Sequence, residues 1–294
     1  MQDLLSTQLF LSALVLASVY ALVSIGLNLI YGTMRLINVA HGDLMMVGGY
    51  FSFWAFHLAG IGTVWSMFGA IATTAFLGAL CYLTIFRYLM SRRGLAARVE
   101  ANSLLIFFGL SIIIQNLLSL MFTADARSYN YLTAIIPLGD ARVELNRLAV
   151  LAIGAACTLA CVLFFRFSRM GLATRALIQQ RDAASLVGIN ADRVQLLVFC
   201  VGFGMAGLAG SLVSMTETVS PFGGFSYTIA AFIVIILGGL GNLTGGILGS
   251  IVLAIIEIYG VALTSPSFRS ILIYGVFIAI LFLRPQGLLG RKAI

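Results

Sequence analysis

Charge is what this 294-residue chain has least of. Asp, Glu, Lys and Arg make up 9% of it against 61% hydrophobic residues, where a soluble domain carries about 25% charged residues. A soluble fold must cover its surface largely with polar groups, and a mean hydropathy of +1.08 excludes one here. Histidine occurs twice and cysteine four times. Cys81, Cys157, Cys161 and Cys200 all fall in apolar runs with no His beside them, so they read as small hydrophobes, not as zinc ligands. No G-x-x-x-x-G-K-[ST] phosphate loop is present, so the chain cannot hydrolyse ATP itself. A Ser-His-Asp or Cys-His set is missing too, which argues against an enzyme. The net charge of +7 sits on no solvated basic domain, which argues against nucleic acid. Residues 1–7 have no basic n-region, and the apolar run that follows is too long for a signal-peptide core, so it reads as a true span.

What is present is a series of uncharged runs: 4–34, 44–86, 101–124, 148–165, 194–216 and 218–256, then 258–283 with Arg269 as its one charge. A spanning helix takes about 20 apolar residues. That length divides the runs into about eight spans, near 8–30, 44–59, 63–86, 102–123, 147–165, 194–215, 226–263 as a pair, and 269–283. The runs do not alternate in polarity as barrel strands do, and a helix pairs every backbone group within one segment. The expected fold is an all-α polytopic membrane protein, one transmembrane domain over 1–294, with broken or re-entrant Gly-rich segments. Twelve of the seventeen basic residues fall at 87–98, 166–193 and 284–292, which marks those ends as cytoplasmic. Residues 125–147 and 216–227 then face outside, with the amino terminus external and the carboxyl terminus internal. No loop is long enough for a soluble domain.

Four segments carry more than hydropathy. Residues 26–50, GLNLIYGTMRLINVAHGDLMMVGGY, set Asn28, Arg35, Asn38, His41 and Asp43 among glycines between apolar stretches. Such groups either face a bundle interior or water-filled path, or mark a plain interfacial loop; His41-x-Asp43 alone is weak support for a metal. Residues 166–194 form the longest cytoplasmic connection. Thr174 can cap a helix running to about Val187, ended by Gly188, with Ala176, Leu177, Ala184 and Val187 as its apolar stripe. That stripe needs either the lipid interface or a groove on another protein. In 237–250, LGGLGNLTGGILGS, Gly241, Gly245 and Gly249 recur every four residues, as either one smooth helix face for packing or a tight turn. Gly202-x-Gly204-x-x-Gly207 matches a dinucleotide fingerprint in letters only, since it lies inside a span. Finally, Glu217 reads as an interfacial charge, and Glu257 interrupts an apolar run. Glu257 is either a functional acid or the partner of a polar group on another helix.

Taken together, GLNLIYGTMRLINVAHGDLMMVGGY, GLATRALIQQRDAASLVGIN, ILGGLGNLTGGILGS and the terminal RPQGLLG resemble the membrane subunits of branched-chain amino acid ABC importers, in the right order over nearly the whole chain. Asp182-Ala183-Ala184-x-x-x-Gly188 is similar to the EAA-x-x-x-G core of importer permeases, with Asp in place of the first Glu. The resemblance implies that the 166–193 segment docks into a cleft of a cytosolic ATPase through Thr174, Arg175, Leu177, Arg181, Asp182, Ala183, Ala184 and Gly188. It implies a second related permease subunit, two ATPases that hold ATP and Mg²⁺, a periplasmic binding protein, and a bacterial inner-membrane location. This chain itself would bind no cofactor or metal. The solute, a branched-chain or other small amino acid, would pass a path lined by Asn28, Asn38, His41, Asp43 and Glu257. Relatives within that importer group carry urea, short amides or small acids. A stand-alone carrier would need several intramembrane acids, where this chain offers Glu257.

Overall fold

The protein is seen here as a computed structural model that describes residues 6–91, 93–138, 141–283 and 287–289. Asp3, Arg92, Asp140, Arg284, Arg291, Lys292 and most of the RPQGLLG motif lie outside these residues. The side chains of 91, 93–98, 100, 138, 281 and 283 also lie outside the description.

About four-fifths of the described chain is helical. In order come α1 (Thr7–Met34), α2 (His41–Ala59), α3 (Thr63–Cys81), a π-helical turn (Tyr82–Phe86), α4 (Arg87–Ser91) and α5 (Arg93–Phe122). A hairpin follows, of β1 (Ile135–Leu138) and β2 (Ala141–Glu144), paired antiparallel with Leu138 opposite Ala141. Then come α6 (Leu145–Phe167), α7 (Arg169–Gln179), α8 (Arg181–Leu186), α9 (Ala191–Val213), α10 (Gly224–Gly238), α11 (Leu243–Leu263), a 3₁₀ turn (Pro266–Phe268) and α12 (Arg269–Leu283).

Among the described residues six helices are long and apolar enough to cross a membrane: Thr7–Met34, Thr63–Met90, Ala101–Phe122, Leu145–Phe167, Ala191–Val213 and Leu243–Leu263. Two shorter apolar helices, Gly224–Gly238 and Pro266–Ile280, accompany them. The expected span at 44–59 is absent from both groups, because α2 carries His41, Asp43 and three further polar residues in an otherwise apolar sequence.

Helices α1 and α9 form the centre. From Ser18 to Ile30 every residue of α1 is buried, so this helix is surrounded by protein and not by lipid. It begins at Ser6, whose Oγ accepts from the Leu9 amide at 3.4 Å, and ends where Arg35 turns left-handed at φ 53°. The chain then doubles back. Residues 35–40 return into the protein and end in a turn at 39–40, and α2 starts with the His41 ring against the Val23 carbonyl at 3.0 Å. Val23 lies eleven residues before the end of α1, about 16 Å along its axis. After α9 the chain doubles back again from the opposite side. Val219 pairs with Arg127 through two 2.8 Å backbone bonds, and its side chain packs on Gly49. Helix α10 then starts at Gly224, against Gly42. Helices α2 and α10 thus begin side by side inside the protein and leave toward opposite faces.

Glycine makes these crossings possible. A methyl group built on Gly42 would lie 1.9 Å from the Gly224 carbonyl oxygen, and one on Gly48 would lie 2.2 Å from that of Gly207. On Gly26 it would lie 2.6 Å from the Gly202 oxygen. Backbones in contact at this range gain dispersion energy that larger residues would prevent. The Gly202, Gly204 and Gly207 series is therefore a packing face turned to α1, α2 and α3. Gly210→Leu tests this directly, since its Cβ would meet the Met45 oxygen at 1.7 Å. It should destabilise the detergent-solubilised protein by about 3 kcal/mol or more, read as a lower thermal-unfolding midpoint. Gly109→Leu, where nothing lies within 4 Å, should leave that midpoint unchanged.

Candidate functional site

Three polar residues of the 26–50 segment, Asn38, His41 and Asp43, lie at the inner junction, while Arg35 is exposed. Asn38 and His41 are fully buried, and Asp43 is 1% exposed. His41 Nε2 faces the Val23 carbonyl at 3.0 Å. This sets the proton on Nε2 and leaves Nδ1 as an acceptor, and Nδ1 has no partner among the described residues. Neither side-chain atom of Asn38 has one either, although a buried unpaired amide is costly. Asp43 lies in the first turn of α2, where the helix dipole favours an anion. It accepts from Ser111 Oγ at 2.5 Å and Gln115 Nε2 at 3.0 Å, both on α5. Thr228 of α10 completes the junction. Its Oγ1 accepts from the Gly42 amide at 2.8 Å and lies 3.1 Å from the Val39 carbonyl, to which it donates. A side chain of α10 thus caps α2, which its own Ala40 cannot do. The alternative of a plain surface loop is set aside by this burial. Among the described residues no cluster of three or more His, Cys, Asp or Glu could hold a metal ion.

Asn28 lies apart from the junction, toward the carboxyl end of α1. Its Nδ2 donates to the Asn242 carbonyl at 2.8 Å, and its Oδ1 accepts from the Gly241 amide at 2.6 Å. It clamps the α10–α11 turn. That turn needs positive φ at Gly239 (100°) and Gly241 (79°), conformations that glycine adopts without a Cβ clash. The expected three-glycine helix stripe is corrected accordingly. Gly245 and Gly249 lie on α11 against the α10 backbone, while Gly241 lies in the turn beside Gly32 of α1.

Glu257 finds its partners outside the junction residues. It accepts from Tyr20 Oη at 2.6 Å and forms an ion pair with Arg269 across α11 and α12. A charge in lipid is stabilised by such a partner. Glu217 is exposed and accepts from Tyr227 Oη at 2.6 Å.

The 166–193 segment is two helices where one is expected from Thr174 to Val187. Ser168 caps α7, its Oγ accepting from the Gly171 amide at 2.9 Å. Thr174 lies inside α7 and donates to the Met170 carbonyl, so the expected cap falls one and a half turns too late. Gln180 is extended (φ −159°, ψ 108°) and separates α7 from α8. Gly188 does terminate the pair with φ 85°. Leu177 and Ala184 are buried and Arg175, Asp182 and Ala183 exposed, while Arg181 reaches Met90 Sδ at 3.7 Å. Val187 departs from the expected buried stripe: it is 77% exposed and Leu186 88%. The break at Gln180 rotates the tip so that both side chains project from the protein.

Four contributors to these sites, Tyr20, Ser111, Gln115 and Thr228, share their apolar helices with other Ser, Thr, Asn and Tyr residues. Nothing local in the sequence singles them out, although a buried polar side chain needs a partner somewhere.

Comparison with known proteins gives a consistent picture. A family model described as "branched-chain amino acid transport system / permease component" matches residues 9–281. The chain is 32% identical to the high-affinity branched-chain amino acid transport system permease protein LivH of Escherichia coli K12, over all of this chain and 98% of that protein. It is 28% identical to BraD of Pseudomonas aeruginosa, described in the same words, over 98% of this chain and 96% of the relative. The LivM permease protein of Escherichia coli K12 is 26% identical over 93% of this chain and 68% of its own length. No solved structure gives a significant match.

The Glu257–Arg269 pair yields a prediction. Arg269→Met should cost about 3 kcal/mol, because Glu257 is left as an uncompensated buried charge. Combining it with Glu257→Leu should restore most of that loss. Thermal midpoints of the two single variants and the double variant measure the cycle, and a double-variant loss equal to the sum of the two single losses would show that the pair contributes nothing.

Proposed function

This chain belongs to the branched-chain amino acid permease family, and we propose that it is the LivH-type membrane subunit of a binding-protein-dependent ABC importer for branched-chain or other small amino acids. It is a multi-pass membrane protein and a transport subunit. The bacterial inner membrane is its proposed location. The observation that carries the reading is the junction of α2 and α10. Two helices begin inside the protein beside Asn38 and His41, whose side chains retain unpaired polar atoms. Interrupted helices with free polar groups at mid-depth are how transporters meet polar solutes.

In the proposed cycle a periplasmic binding protein docks on 125–147 and 216–227. ATP closes two cytosolic ATPases, which hold the nucleotide and Mg²⁺. That closure moves α7 and α8, whose exposed Leu186 and Val187 fit an ATPase cleft. Ile178 of α7 packs against both Gly32 of α1 and Gly241 of the turn, so displacement of α7 presses on the two elements that Asn28 joins. Alternating access at the α2–α10 junction follows, past Asn38, His41 and Asp43. Resemblance to both LivH-type and LivM-type relatives supports a heterodimer with a LivM-like second permease. Glu257 is a poor coupling acid for a stand-alone carrier, because Arg269 and Tyr20 already hold it.

Proteoliposomes carrying this chain with its partner permease and ATPases test the proposal. Leucine uptake should require both ATP and the cognate binding protein. Leu186→Asp with Val187→Asp should lower ATPase co-purification about tenfold or more, the loss expected of an interface anchor. Asn38→Leu should reduce uptake while leaving that co-purification intact. Uptake that followed an ion gradient and ignored ATP would overturn the reading; ATP-dependent uptake of urea alone would overturn the substrate.

A further inference from the structure

A cavity of about 540 Å³ opens at the cytoplasmic end of α1, α6 and α11, outside the junction described above. Its inner wall is apolar, built from Leu29, Val162, Phe165, Ile178, Leu240 and Leu243. At its rim stand Arg166 at the end of α6 and Arg175 on α7, with no acidic residue among those lining it. Arg175 Nη2 donates to the Arg166 carbonyl at 3.1 Å, which uses one of the five donors of its guanidinium. The Arg166 guanidinium lies 5.6 Å from the Phe167 ring centre. Neither arginine makes a salt bridge among the described residues, and both are exposed. Two cations are therefore held at one mouth with most of their donors unspent.

We infer that this cavity binds the phosphate headgroup of an anionic phospholipid from the cytoplasmic leaflet. The charge pattern selects an anion, and guanidinium matches phosphate with parallel hydrogen bonds. The apolar wall selects a ligand with a hydrocarbon part beside its phosphate. The flanking helices continue that surface into the membrane: Leu159 and Leu163 on α6 and Leu248 and Ile255 on α11 are exposed, as lipid-facing residues are. The arginine distribution places the mouth at the level of the inner-leaflet headgroups, where basic pockets between spans take acidic lipids. The lipid would bridge α7 to the α10–α11 turn, because Arg175 of the one and Asn242 of the other both line the cavity.

The test uses the full assembly in nanodiscs and reads retained lipid by native mass spectrometry. The probes are phosphatidylglycerol, phosphatidylcholine and inorganic phosphate. The wild type should retain phosphatidylglycerol over phosphatidylcholine. Arg166→Gln with Arg175→Gln should reduce that preference about tenfold or more. Arg175→Lys should fall between, since it keeps the charge and loses the fork. Arg169→Gln, an exposed neighbour outside the cavity lining, should behave as wild type, and gel filtration confirms that each variant is assembled. Equal retention in the double variant would overturn the inference. So would an equal loss in Arg169→Gln, which would mean diffuse surface charge. Displacement of phosphatidylglycerol by equimolar inorganic phosphate would assign the site to the free ion and overturn the lipid. Loss of a partner subunit from the double variant with lipid retention unchanged would assign the arginines to a protein contact and overturn it too.

Discussion

A helix that begins inside a membrane protein must satisfy its first backbone N–H groups without water, and the structure is organised around that constraint. Helix α2 starts at His41 with an alanine as its N-cap, which offers no side-chain oxygen. Thr228 supplies the missing acceptor from another helix, at 2.8 Å from the Gly42 amide. That bond requires α10 to approach α2 to within backbone contact, which Gly42 and Gly224 allow. It also fixes where residues 35–40 run, because the same Thr228 hydroxyl donates to the Val39 carbonyl. Asp43 adds negative charge where the exposed amides of α2 concentrate positive potential. One threonine, two glycines and one aspartate thus hold the re-entrant geometry, and α1 and α9 pack around it.

The same logic operates at the cytoplasmic end with different chemistry. The α10–α11 turn has no helix to pair its backbone, and Asn28 takes up both the Gly241 amide and the Asn242 carbonyl. Asn242 in turn caps α11, its Oδ1 accepting from the Gly245 amide at 3.1 Å, while its Nδ2 reaches the Leu289 carbonyl at 3.1 Å. Gly287 fits where a side chain would strike Gly239. Two sequence-distant Gly-rich motifs therefore form one structure on the inner face, and α7 leans on it through Ile178. This is a contiguous contact path from the exposed tip at Leu186 and Val187 to the buried core, of the kind that can carry mechanical coupling.

Hydropathy made the class legible, and the uncharged runs located α1, α3, α5, α6, α9 and α11 closely, because lipid imposes length and composition directly on a span. The expected spans at α2 and α10 are not among the six full-length candidates, since α2 is too polar and α10 too short. A run of apolar residues does not reveal whether its helix meets lipid or protein, and both of these meet protein. The 26–50 segment was legible as unusual through its density of Asn, His and Asp among glycines. Its geometry was not, because the partners Ser111, Gln115 and Thr228 are 68 to 189 residues away. The 166–193 segment shows the reverse. Its existence and its end at Gly188 were readable locally, but the break at Gln180 was not. Nothing in the side chain of Gln180 enforces an extended backbone, and Ser168 and Thr174 offer equally good caps in sequence.

The two returning segments also bear on the proposed importer. Residues 35–40 enter from one face and 216–223 from the other, and they bring α2 and α10 to a common point from which the helices diverge. In the proposed cycle, a solute at that point would be separated from the two sides of the membrane by one returning segment each. Opening one side need only move its own linker and helix, provided that the glycine contacts at 42 and 224 slide without breaking. Backbone packing on backbone favours such sliding, since no interlocked side chain must be withdrawn. A carrier that drew its energy from an ion gradient would need titratable groups at that same point. Asp43 is the acid present there, already committed to two neutral donors on α5, and Glu257 is committed to Arg269 elsewhere. The proposed drive through α7 is consistent with this, because the apolar contacts at Gly32 and Ile178 would respond to displacement and not to protonation.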